Sequence, residues 1–579
     1  MSNITLVEID TNVQGESTTS LAISTTVKTI TLTESQPFIK GETAIIKYDD
    51  SNYMSGTILS IDNTSLRISV TSITGSGTYT DWLIDSQRTL YFGTETYVSS
   101  DNKEYLGDII DAGSIAQYMY DVASTFGESK ITIGDIVLNN LSGKYDYVRK
   151  LGFKSASLRI KQVTTSNNIT TILSGTCKFA EVSLNRVTFS ISDRLADLNK
   201  DAQKSLFDGS NSGPTGIEGT IDSLKGVVKP FIFGKCRNIE APLLNSSKLI
   251  YGINFDNDGN TLAITSVDAV RDAGVALTID TAVGTSGVVT NLAAMQAATI
   301  ASGKYIVCLS ESLIRLGSIP LGAVTIDATE SVLKPGSLVK NIIEKAGFTS
   351  GDYINSTFTA LDTFLAYNHG VYVNSGTTFL AICNDILSNI GGFISCTSDN
   401  KFFVGYLKSA ELFASSKSFD DYSTIDFSTI SSKDDGLGIP PKQIKLNYNR
   451  NYKVMNDSDF AGSVSQDDRD FYSKEYLTVE SVVNSKIDTK HYNAPVFNLN
   501  TLIDSNTDAQ TELARQLTLR QKERNFYSFK TYDLSTLAIG DVINISNSQR
   551  FDLQEGKNVV IMGKEVEFAK SSITYIVWG

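Results

Sequence analysis

Short runs in which apolar and polar residues alternate dominate the chain. SLRISV (65–70), SASLRIKQV (155–163), RVTFSIS (186–192) and QIKLNYN (443–449) place apolar side chains at about every second position. A period of two is that of a strand with one buried face. A helical period is rarer. SLVKNIIEKAG (337–347) follows Pro335, sets Leu338, Ile342, Ile343 and Ala346 on one face, and stops at Gly347. TTFLAICNDILSNIGG (377–392) does the same with Phe379, Ile382, Cys383, Ile386, Leu387 and Ile390, and Gly391–Gly392 supply a C-cap. SNTDAQTELARQLTLRQKER (505–524) opens with a capping pattern from Ser505 to Asp508 and carries Ala509, Leu513 and Leu517 along one side. TNLAAMQAATIASG (290–303) is a fourth helix candidate.

Strands therefore cluster in 1–205, helices and strands mix in 225–410, and strands return around one helix in 440–579. DGSNSGPTGIEG (208–219) and SSKDDGLGIPP (431–441) show neither period and read as linkers. A chain of 579 residues exceeds one hydrophobic core and predicts about three to five domains. With 41% hydrophobic residues, each can bury a core of its own.

Charge and composition narrow the function. The net charge is −14 and no strongly basic run occurs, which argues against a grip on nucleic-acid phosphates. The two histidines, His369 and His491, are far apart in sequence, which disfavours most hydrolase chemistry and weakens any zinc site. Cys177, Cys236, Cys308, Cys383 and Cys396 form no CxxC and no disulfide framework, and read as buried free thiols. MSNITLVEID lacks the order of a secretory signal, and no apolar run reaches about 18 residues. The expectation is a protein made in the cytoplasm or assembled into a particle there.

Candidate chemistry is thin. NFDNDGN (254–260) looks like a calcium loop, but the twelfth position counted from Asp256 is Val267 and not glutamate. A hairpin turn around Asp258-Gly259 fits better. The acidic pairs in SSKDDG and SQDDRD suit solvated loops better than a glycosidase cleft. There is no GxSxG elbow, Walker loop or strand-GxGxxG-helix, and Cys383 falls on the apolar face of its helix. No catalytic, cofactor-binding or metal-binding residue is assigned, no cofactor is expected, and the chain does not read as an enzyme. KPFIFGKCRNIEAPLL (229–244) could be a reactive site or a piece of framework.

Three stretches, taken in order, resemble the hub proteins at the distal end of long phage tails. The first is FIKGETAIIKYDDSNYMSGTILSIDNTSLRISVTSITGSGTYTDWLID (38–85), similar to a small β-module common in phage structural proteins. The matching elements are Gly41-Glu42, Asn52 to Gly56, and Gly75 to Trp82, with Glu42 standing where aspartate is usual. The second is YFGTETYVSSDNKEYLGDIIDAGSIAQYMYDVASTFGESKITIGDIVLNNLSGKYDYV (91–148), similar to a hub's opening barrel, which RVTFSISDRLADLNKDAQ (186–203) closes. EGTIDSLKGVVKPFIFGKCRNIEAPLL and RLGSIPLGAVTIDA (315–328) resemble later passages of the same proteins. The third is the C-terminal part, with QIKLNYNRNYKV (443–454), NFYSFKTYDL (525–534), LAIGDVINISN (537–547) and the closing VVIMGKEVEFAKSSITYIVWG.

The resemblance implies a mainly β fold with α+β middle domains. Its parts are an N-terminal small β-barrel module (1–87), a first tube-like β-barrel (88–205), a mixed β domain with one helix (206–330), an α/β domain with two helices (331–410) and a second tube-like β-barrel with one helix (411–579). It implies a homotrimeric structural hub in the virion, made in the host cytoplasm. Such a hub joins the hexameric tail tube to a three-fold tip and forms part of the DNA ejection channel. Its partners are distal tail or tail tube proteins, the tape measure protein, and tip, spike or fibre proteins. Phage DNA passes through the lumen without specific binding. The alternative is a receptor-binding or fibre-attachment protein of the tail tip. In the hub proteins, by this resemblance, KPFIFGKCRNI is framework: Phe231 and Phe233 turn toward a core, Gly234 permits a bend, and Cys236 is a small buried hydrophobe.

Overall fold

The structure, a computed structural model, describes residues 4–153, 156–163, 168–211, 215–533, 537–568, 570 and 572–579. Alternation becomes sheet where it is strongest. Ser65–Thr74, Ala156–Val163, Arg186–Ser192 and Gln443–Tyr448 are strands. Ser155, at the head of the second run, lies outside the described residues.

The first large sheet has twelve strands, from Ile109–Asp111 at one edge to Val27–Thr31 at the other. Its central strand, Ile4–Ser17, pairs antiparallel on both sides. Ile9 lies opposite Leu90 of Trp82–Gly93 and opposite Leu158 of Ala156–Val163. The second has eight strands, most drawn from residues 418–578. Two come from far earlier, Ser114–Tyr118 and Lys130–Ile133. Ser114–Tyr118 pairs with Lys557–Glu567, with Ile115 opposite Val566. One apolar core runs between these sheets, from Val7 and Phe92 to Phe529 and Trp578.

The chain is mainly β, but among the described residues no sheet closes into a barrel. This corrects the expectation of a small N-terminal barrel and two tube-like ones. The reason lies in how the edges are used. Ile4–Ser17 spends its second edge on Ala156–Val163, extending the sheet beyond the N-terminal module. Lys557–Glu567 breaks register between Ile561 and Gly563. Its first half takes Val542–Ile545 and its second half takes Ser114–Tyr118, leaving no edge for closure.

Trp82 is buried in the N-terminal module, its indole N–H donating to the Tyr79 carbonyl at 3.0 Å. The unusual Glu42 accepts from Arg88 Nε at 2.6 Å.

In sequence between the strands of the large sheets come two five-stranded sheets and a helical layer. Phe231–Glu240 pairs with Gly370–Val373 through its first half and Val324–Thr329 through its second. Phe231 and Phe233 join Leu338, Ile342 and Ile382 in one core, while Ile232, Cys236 and Ile239 join Tyr251 and Ile326 in another. Gly234 sits at φ +68°, and a Cβ there would come 2.1 Å from the His369 carbonyl oxygen. Only glycine fits. Arg237 and Glu240 do not meet each other; Arg237 pairs with Asp504 and Glu240 with Lys453.

The expected helices form as Pro335–Lys345, Phe379–Leu387 and Asn506–Arg520. The candidate at 290–303 shortens to Leu292–Ala297. Asn355–Phe364 was not expected, because NSTFTALDTF is rich in residues of modest helix propensity. Packing of Phe358 and Leu361 against the helical core stabilises it. Among the described residues no helix is long and apolar enough to cross a membrane.

Candidate functional site

The helix Asn506–Arg520 carries Glu512, Gln516 and Arg520 at intervals of four, which stacks them on one face. All three are buried. Gln516 Nε2 donates to Glu512 Oε1 at 2.6 Å, and Arg520 Nε donates to Gln516 Oε1 at 2.8 Å. Arg515 donates to both Glu512 oxygens and to the Ile390 carbonyl at 2.6 Å. The Arg520 guanidinium lies 3.7 Å from the centre of the Phe126 ring and donates to Thr125 Oγ1 at 2.5 Å.

Asp434 closes the arrangement. Its carboxylate accepts from Ser124 Oγ (2.5 Å), Thr125 Oγ1 (2.6 Å) and Thr125 N (2.9 Å). The Gly- and Pro-rich segment 431–441, which reads as a linker, is thus pinned to the loop that follows Ser114–Tyr118. Segments distant in sequence, at 124–126, 390, 434 and 512–520, meet in one buried polar joint.

Burial pulls the Arg520 pKa down to about 10, which leaves it charged at neutral pH. Hydrogen bonds and the Phe126 face offset the desolvation of that charge. Beside the joint, Arg524 lies 4.8 Å from the Trp578 ring and donates to Glu411 at 2.8 Å. Burial would raise the Glu411 pKa, but bonds from Arg524 and Lys522 outweigh it and hold the group at about 2. These groups are occupied with one another. The joint can fix the relative placement of segments; it presents no nucleophile poised beside a base.

The residues singled out by sequence lie elsewhere. NFDNDGN is a turn: Asp256 N donates to the Asn260 carbonyl, Asp256 Oδ1 accepts from Asp258 N and Asn260 N, and Gly259 has φ +86°. Among the described residues no cluster of three or more His, Cys, Asp or Glu could hold a metal ion. In SQDDRD, Ser465 caps a short helix and Asp468 bonds back to it. All five cysteines are free and buried. Burial pushes the Cys177, Cys236, Cys383 and Cys396 thiols up. His369 is fully buried, with Nδ1 3.0 Å from the Tyr367 carbonyl, and His491 Nε2 lies 3.1 Å from Glu523. Ala509, Leu513 and Leu517 mark the apolar side of the long helix in the sequence, and the Glu512-Gln516-Arg520 spacing beside them carries its polar joint. That spacing was the available signal.

No protein-family model matches the chain, and no curated protein matches it. Among solved structures it is similar to a tail protein from Neisseria meningitidis, at 7% identity and a TM-score of 0.35, over 81% of this chain and 91% of that one. It is similar to the 43 kDa tail protein of prophage MuSo2 from Shewanella oneidensis, at 9% identity and a TM-score of 0.31, over 84% and 96%. A prophage tail protein from Listeria monocytogenes gives 8% identity and a TM-score of 0.28, over 84% and 93%.

Proposed function

We propose that the chain is a structural protein of a phage tail and forms the hub at its distal end. One observation carries this reading. The two stretches that resemble a hub's tube-forming parts, 88–205 and 411–579, share a sheet through Ser114–Tyr118 and Lys557–Glu567. The Asp434–Thr125–Arg520 joint ties them again. Parts built to carry load together need such fixed placement, and directional buried bonds supply it.

In this reading three copies assemble into a ring, joining a hexameric tube to a three-fold tip. The division at 87, 205, 330 and 410 describes the parts that meet neighbours: tube or distal tail proteins, the tape measure protein, and tip, spike or fibre proteins. The role is not catalytic. Acidic residues line the channel, in keeping with the net charge of −14, and let DNA slide past without binding.

Gold-labelled antibody against 88–205, applied to phage particles after mild disruption of the tail end, tests the placement. Label confined to the tail terminus is expected; label on the head or neck overturns it. Light scattering on the purified chain is expected to give a trimer.

The alternative, a receptor-binding or fibre-attachment protein of the tail tip, draws on one feature. The loop at 318–323 exposes Ile319 (82%) and Leu321 (86%), and Asp272 fixes it by accepting from Leu321 N and Gly322 N. A rigid apolar tip of this kind suits docking. A monomeric chain that binds purified fibre protein would favour this alternative.

A further inference from the structure

LAIGDVINISN (537–547) does more in the fold than return a strand to its sheet. Its first residues form one end of a cavity of about 660 Å³, set between the second large sheet, the helical layer and the first sheet. The floor is aliphatic. Ile115, Val566 and Ile573 stand side by side across three neighbouring strands and all face the cavity. Phe393 and Phe403 supply aromatic wall.

The polar end is cationic. Lys564 shares a face of its strand with Val566, two residues on. Its ammonium donates to the Leu537 carbonyl at 3.0 Å. Lys408 donates to the Gly540 carbonyl at 3.1 Å and lies 5.7 Å from the Tyr406 ring. One short turn therefore gathers both ammonium groups. Asp541 closes that turn by accepting from Ala538 N at 2.9 Å.

Neither lysine makes an ion pair with a carboxylate among the described residues. Of the acidic groups that line the cavity, Glu567 pairs with Lys530 and Lys570, Asp399 accepts from Thr397 Oγ1, and Asp541 stands near both lysines while accepting from Ala538 N. Burial pulls both lysine pKa values down, with Asp541 opposing the shift. An anion placed here would meet two partly desolvated cations.

We propose that this cavity binds an amphiphilic carboxylate of small-molecule size, with its anionic group at Lys408 and Lys564 and its hydrocarbon on the Ile115–Val566–Ile573 floor. The floor strands are hydrogen-bonded on both edges, so they offer a peptide backbone no edge to pair with. An alkyl chain needs none. Size and lining are those of small-molecule pockets. The site stands on its own observations, whatever the chain does in a tail.

Calorimetric titration of the full-length chain with dodecanoate, below its micelle concentration, tests it. Dodecanol is the neutral comparator, and Lys408→Met, Lys564→Met and the control Lys445→Met, outside the cavity lining, are the variants. The expected result is one saturable site for dodecanoate, with dodecanol weaker by about tenfold or more. Each of Lys408→Met and Lys564→Met should weaken dodecanoate by a similar factor, and Lys445→Met should leave it unchanged. Absence of saturable binding, or equal affinity for dodecanol and dodecanoate, overturns the proposal. Both readouts use the unmodified chain, so they hold even where a variant fails to fold. Unchanged affinity in both folded cavity variants also overturns it.

Discussion

Two junctions in this molecule are built by opposite means. Around Arg520 the chain is joined by side chains: directional bonds run from Glu512 through Gln516 and Arg520 to Thr125, and on to Asp434. Around Gly234 it is joined by the absence of one. Lys235 N reaches the His369 carbonyl at 3.1 Å, and a Cβ on Gly370 would stand 1.7 Å from the Lys235 carbonyl oxygen. The first junction specifies partners by polarity and can be weakened in steps. The second specifies them by shape and fails at once when atoms are added.

Gly234→Ala should therefore give the largest effect, a loss of about 4 kcal/mol or more in urea unfolding. A loss below about 1 kcal/mol would show that the backbone yields there and that the contrast is wrong. Arg520→Met should cost about 3 kcal/mol by stranding buried polar partners, and Asp434→Ala about 2 kcal/mol by freeing Ser124 and Thr125. The double variant sharpens the point. Strict additivity of the two would deny that the joint acts as one network.

His369 probes the shape-built side through pH. Burial holds its pKa at about 4, below its ordinary 6.5. As pH falls through 6.5 toward 4, the unfolded chain gains a proton that the folded chain refuses, so stability is lost across that window. Between pH 7 and 5 this loss should be about 2 kcal/mol and should vanish in His369→Gln. The smallest effect belongs to neither junction. Glu523→Ala breaks an exposed pair with Lys490 and should change stability by less than about 0.5 kcal/mol.

Much of the local structure was legible in sequence, because a strand's alternation and a helix's period are local facts. RVTFSIS became a strand with the bounds expected, and Phe231 and Phe233 went to a core. Partners were not legible. Nothing in SIAQY or in KNVVIMGKEVE says that the two pair, because alternation marks a buried face and leaves the edge unnamed. Open sheets replaced barrels for the same reason. SSKDDGLGIPP was composed like a linker, yet one carboxylate with the right neighbours made it a clasp. The cavity was invisible because its floor and its two lysines come from segments that meet only in three dimensions.

The pairing of Ser114–Tyr118 with Lys557–Glu567 also sets an order of events during synthesis. More than four hundred residues must leave the ribosome between the two strands. Until then the early strand shows an unpaired edge, the kind of surface on which nascent chains aggregate. Contacts so distant in sequence form slowly. The second sheet is therefore among the last parts to mature, and a chain stopped before residue 557 would carry its early strands without their partner.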